Sequence, residues 1–121
     1  MKKKSDEKLK IIPLGGLEQI GMNITAFECQ DSIVLVDCGL AFPEDDMLGV
    51  DLVIPDVTYL LENADKVKGL CITHGHEDHI GAIPYILKQI NMPIYATKLT
   101  NGLIENKLKE HNLLKSTKRK V

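Results

Sequence analysis

Thr73-His74-Gly75-His76-Glu77-Asp78-His79 decides how this chain folds and what chemistry it carries. Three of its four histidines fall inside this one run, interleaved with an aspartate. Neutral imidazole and carboxylate are the donors that Zn²⁺ and similar divalent ions take as ligands. The run from Val67 to Thr73 that leads into it is apolar and reads as a buried strand. His74 and His76 alternate at i, i+2, as in a loop, rather than one helical turn apart as in H-E-x-x-H. Asp78 and His79 follow at once, where the next helix should start. Such a loop can aim His74 and His76 at one ion and Asp78 and His79 at a second. Ions roughly 3.5–4 Å apart can clamp a nucleophile against a carbonyl or phosphorus centre, which is the layout of a hydrolase.

Working outward from the loop, Ile80, Ile83, Ile86, Leu87 and Ile90 recur at helical spacing and predict a helix from about Gly81 to Gln89. Pro84 fits only in its first turn, where a missing N–H costs little. Pro93 to Ala96 reads as a short strand. Leu99, Leu103, Ile104 and Leu108 mark a final amphipathic helix, and the basic residues from Lys115 to Lys120 read as a solvated tail or an RNA contact. Upstream, Leu60, Leu61 and Ala64 suggest a short helix ending near Asp65. Asn23 to Cys29 and Ile33 to Val36 predict a hairpin around Gln30-Asp31-Ser32, closed by Asp37-Cys38-Gly39. Lys10 to Leu14 is a first strand before the tight loop at Gly15-Gly16. Leu40 to about Pro55 is an irregular acidic loop in which Glu44, Asp45 and Asp46 face solvent. Residues 1–8 form a mobile charged tail and 9–121 the folded portion. Strands alternating with helices give a layered α/β arrangement.

With 121 residues the chain suits one domain. Its net charge of −2 argues against a generally basic, nucleic-acid-coating protein, though local patches are compatible with it. No apolar run approaches the ~20 residues needed to cross a bilayer. The charged start lacks a secretory apolar segment, so the expected location is the cytoplasm, with no membrane partner. Cys29, Cys38 and Cys71 are odd in number and form no C-x-x-C pair. Each is expected to be a buried reduced thiol, with Cys38, beside Asp37, the best placed for any chemical role. His111 reads as a solvated residue at the end of the last helix.

The run His74-Gly75-His76-Glu77-Asp78-His79 resembles the H-x-H-x-D-H signature of the metallo-β-lactamase superfamily. Gly15-Gly16-Leu17-Glu18-Gln19-Ile20-Gly21-Met22-Asn23 resembles the opening motif of bacterial ribonuclease J proteins. Val36-Asp37-Cys38-Gly39, Phe42-Pro43-Glu44-Asp45-Asp46, Val53-Ile54-Pro55-Asp56 and Lys98-Leu99-Thr100-Asn101-Gly102-Leu103 are similar to that family in the same order. The resemblance spans the chain from about Leu9 onward.

It implies an α/β fold, the N-terminal half of a four-layer αββα sandwich with metal held at one edge. It implies a metal-dependent RNA nuclease, with 5′-to-3′ exonuclease and endonuclease activity in RNA processing and decay, rRNA included. Zinc is the expected metal, two ions per complete site, with manganese the alternative that a His/Asp site also accepts. His74, His76, Asp78 and His79 would be ligands, Asp78 and His79 catalytic, and Asp37 the residue that holds a ligating histidine in place. RNA would be the partner, and the family is expected to form homo-oligomers. The family also draws a His, an Asp and another His from later segments, so this chain is expected to carry only part of the site. Two other readings share the motif: a glyoxalase II-like thioesterase, and a fragment with no activity of its own. Gly15-Gly16 and Asn23 could shape a phosphate-contacting loop beside the metals, or an ordinary turn.

Overall fold

The computed structural model describes residues 8–15, 23–39, 57–73 and 75–121, apart from the side chains of Glu77 and Asp78. The charged tail before Lys8, the loop after Gly15 and the acidic loop expected from Leu40 to about Pro55 lie outside the described residues.

Among the described residues, six strands form one mixed sheet in the order in which they occur along the chain. β1 (Leu9–Gly15), β2 (Ile24–Cys29) and β3 (Ser32–Val36) pair antiparallel. Cys29 faces Ser32 across a tight turn, and Gln30 takes the left-handed conformation (φ 54°) that such a turn needs. From β3 onward the pairing is parallel, through β4 (Val67–Cys71), β5 (Ile94–Tyr95) and β6 (Arg119–Lys120). Parallel neighbours need long crossovers, and helices supply them here. α1 (Thr58–Glu62) and a 3₁₀ turn at Ala64–Lys66 precede β4. α2 (Glu77–Ile80) and α3 (Ile83–Leu87) link β4 to β5, and α4 (Lys98–Glu110) links β5 to β6.

One face of the sheet carries the core. Alternation along β2 turns Ile24 and Ala26 inward, and along β3 it turns Ile33 and Leu35 inward. Leu60, Ile80, Ile83, Ile86, Ile104 and Leu108 from the helices close over them. Each such side chain stabilises the fold by about 1.5–3 kcal/mol relative to exposure. The opposite face presents a cross-strand row: Ile11 beside Phe27, Phe27 beside Val34, Val34 beside Gly69. A Cβ on Gly69 would lie 2.8 Å from Cε2 of Tyr95, so the missing side chain lets that ring lie flat on the sheet. Ile11, Val34 and Tyr95 are exposed. In the αββα sandwich that the resemblance implies, a second sheet would cover this face.

Four expectations need correction. The helix expected over 81–89 is present but shorter, Ile83–Leu87, with Pro84 in its first turn as expected, and the helical spacing does not run back through Ile80, where α2 ends. Pro84 has no N–H to give the Ile80 carbonyl, and its ring would clash there, so a continuous helix through both is excluded. α4 buries Ile104 and Leu108 as expected, but Thr100 and Asn101 are inside while Leu99 is 78% and Leu103 44% exposed. Arg119 and Lys120 are no tail but a strand, because the carbonyls of Lys118 and Lys120 accept from Ile94 and Ala96. Cys29 is exposed, since Glu28 takes the inward position before it.

Candidate functional site

β3 and β4 are parallel neighbours with Val36 paired to Cys71, so the segments that follow them leave the same edge side by side. In open α/β sheets that edge, at the carboxyl ends of the strands, is where ligands are bound. Asp37 leaves β3 and Thr73 to His79 leave β4. The backbone stitches the two exits together: Asp37 N–H donates to the Cys71 carbonyl at 2.8 Å and Cys38 N–H to the His79 carbonyl at 2.7 Å. Ala82 N–H returns to the Cys38 carbonyl at 3.0 Å.

Asp37 stands at φ 64°, a left-handed conformation that Asp tolerates better than most residues. The turn directs its buried carboxylate back toward the β4 exit. There Oδ1 accepts from Thr73 N–H at 2.8 Å, and the Thr73 hydroxyl lies 3.0 and 2.9 Å from the two oxygens. Oδ2 stands 2.8 Å from Nδ1 of His79. An ionised carboxylate can only accept, so Nδ1 donates in this pair, and in a neutral ring Nε2 is the nitrogen left with the acceptor lone pair. Nε2 lies 3.5 Å from the Asn23 side-chain amide, at the outer limit of a hydrogen bond.

This carboxylate–imidazole arrangement fits a metal-ligating histidine, whose ring is usually held through its other nitrogen in this way. His76 is exposed, and its carbonyl accepts from His79 and Ile80 at 2.8 and 3.0 Å, which opens α2. Asp78 lies in α2, with its side chain outside the described residues, and His74 is outside them entirely. Among the described residues no group of three or more His, Cys, Asp or Glu side chains stands together as a metal site. Cys38 is not a thiolate candidate: burial first, and the Asp37 carboxylate second, push its thiol far up.

Thr73 escaped the reading from sequence, although it sits inside the quoted run and spends both its N–H and hydroxyl on Asp37. Asn23 was expected either in a phosphate-contacting loop beside the metals or in an ordinary turn, and its amide lies 3.5 Å from His79 Nε2. His111 caps the C-terminal end of α4, edge-on to the Tyr85 ring at 5.3 Å between centroids.

A family model described as the metallo-beta-lactamase superfamily matches residues 23–116. The chain is 57% identical over 103 residues to ribonuclease J 1 of Streptococcus pyogenes, covering 85% of this chain and 18% of that protein. It is 55% identical over 112 residues to ribonuclease J of a Synechocystis species, covering 92% of this chain and 18% of that protein. The chain thus spans about a fifth of the length of these relatives. Among solved structures, the long form RNase Z from yeast superimposes with a TM-score of 0.60 at 14% identity, covering 98% of this chain and 18% of the other. That likeness speaks to the fold alone.

Proposed function

This chain belongs to the metallo-beta-lactamase superfamily, and from that premise we propose that it carries the N-terminal metal-binding part of a ribonuclease J-type RNA nuclease. The observation that carries the reading is the Asp37–His79 hydrogen bond, which ties the signature run to the end of β3 at 2.8 Å. Superfamily membership alone supports use of a divalent metal; the identity to proteins named ribonuclease J supports RNA as substrate.

In this reading His74 and His76 hold one ion and Asp78 and His79 a second, with zinc as the metal and manganese the alternative. When bound, such ions would polarise a phosphoryl oxygen and lower the pKa of water to about 7. The chain's own residues do the positioning. Asp37 fixes the His79 tautomer and aims its ring, and Thr73 keeps Asp37 from turning away. The buried setting of Asp37 keeps water from competing for those bonds. Further ligands come from segments that follow in the relatives' longer chains. The substrate class is RNA, cut at phosphodiester bonds in processing and decay, rRNA included. The same proposal takes the cytoplasm as the location and a homo-oligomer as the form of the full-length family. No helix among the described residues is long and apolar enough to cross a membrane.

The test is elemental analysis of the full chain after dialysis, followed by turnover of 5′-monophosphorylated RNA against a thioester. Bound zinc or manganese with RNA cleavage is the expected result. Thioester turnover without RNA cleavage would overturn the substrate, and absence of any bound divalent ion would overturn the site.

A further inference from the structure

We propose that Leu103 of α4 is a positioning residue for the signature loop, acting through Gly75; the inference rests on the metal-site reading above. A Cβ at position 75 would lie 2.4 Å from Cδ1 of Leu103, and 3.7 and 3.8 Å from its Cγ and Cβ. Carbon atoms pack at about 3.5–4.0 Å, so the Leu103 methyl occupies the space a side chain at 75 would need. A side chain at 75 would have to displace the Leu103 methyl or move the loop.

The helix that bears Leu103 is a firm support. Thr97 caps it, its side chain accepting from Thr100 N–H at 3.3 Å. Ile104 and Leu108 are fully buried. The buried Asn101 amide donates to the carbonyls of Ala96 and Lys120 at 3.1 and 3.2 Å, tying the helix to the strand segments on either side. Leu103 stands on the flank of this post, half out of the core, and its methyl rests on the backbone between His74 and His76. The loop is thus held twice, by Asp37 through hydrogen bonds and by Leu103 through contact. This also gives a role to the Lys98–Leu103 motif, whose leucines the core does not use.

The test measures zinc affinity of the full chain by competition with a chromophoric chelator, with the melting temperature of each variant. Leu103→Ala is expected to weaken zinc by about tenfold, the low end of what loss of a ligand's support costs. Ile104→Val, a core change on the same helix, should lower the melting temperature while leaving zinc affinity within twofold of wild type. Gly75→Ala pushes Leu103 or the loop aside, and the Gly75→Ala/Leu103→Ala double variant should be no weaker than Leu103→Ala alone. Wild-type affinity in Leu103→Ala, equal zinc loss in Ile104→Val, or losses that add in the double variant would each overturn the inference. If Gly75→Ala does not fold, the Leu103→Ala and Ile104→Val pair still decides. Wild-type chain that takes up no zinc would overturn the metal-site reading and this inference with it.

Discussion

Asp37 and Glu28 are both carboxylates only 6% exposed, yet they stand toward opposite ends of the β2–β3 hairpin and are used differently. Glu28 is closed off: the Tyr59 hydroxyl donates to one oxygen, and Lys66 Nζ lies 3.8 Å from the other. Its partners end the chain of contacts in a ring and a half-exposed ammonium. Asp37 bonds to Thr73 and to His79, and the histidine passes the interaction on through its second nitrogen. Burial and a satisfied carboxylate are common to both. What separates a structural pair from a functional one is whether the partner has a further atom to offer.

The largest expected effect comes from breaking the Asp37 end. Asp37→Ala should weaken zinc about 10–100-fold, as loss of a ligand's hydrogen-bond partner does. It should also destabilise the fold by about 3 kcal/mol in urea titration, through loss of the hydrogen bonds to Thr73 and His79 and an alanine forced to positive φ. Asp37→Asn keeps the shape and the left-handed preference. It is expected to recover most of the stability while zinc stays about tenfold weaker; wild-type affinity in that variant would remove the charge from the argument.

Glu28→Gln tests the other carboxylate. An unfolding free energy lower by about 1 kcal/mol is expected, with zinc affinity unchanged. Any loss of metal binding in this variant would erase the distinction between the two ends. The same substitution should be visible in a spectroscopic tyrosine titration. The hydrogen bond to Glu28, then desolvation, then the carboxylate's charge hold the Tyr59 hydroxyl above its ordinary value. A raised folded value means that Tyr59's contribution to stability is full below about pH 10 and is lost as pH rises through the raised value. Glu28→Gln should bring that late-ionising tyrosine down.

The smallest effect concerns the thiols. Iodoacetamide should label the exposed Cys29 first and Cys71 next. Cys38 should label only on unfolding, because burial and Asp37 disfavour its thiolate. Early labelling of Cys38 would show the Asp37 end to be open.

Element order was legible from pattern alone, because apolar alternation and helical spacing change where strands give way to helices. The hairpin at Gln30-Asp31 and the strand feeding the histidine run are local features, and local features are what periodicity reports. The face of α4 was not legible. Spacing assigns Leu99 and Leu103 inward, but Asn101 is drawn into the core by carbonyls at Ala96 and Lys120, which lie on other segments. β6 was missed for a related reason: Arg119 and Lys120 carry no strand signal, and only pairing with Ile94 and Tyr95 makes them one. The contact between Asp37 and His79 crosses 42 positions, and family resemblance rather than spacing suggested it. His74 and the acidic stretch from Leu40 lie outside the described residues, so nothing about their placement enters the comparison.

The chain has no tryptophan and three tyrosines, so its intrinsic ultraviolet emission comes from Tyr59, Tyr85 and Tyr95. Tyr59 is engaged by a carboxylate and Tyr85 by the edge of His111. Tyr95 alone lies on the outer apolar face, in the bed that Gly69 leaves for it. That ring is therefore a built-in optical probe: whatever comes to cover the outer face, a second sheet or another molecule, must change its emission first.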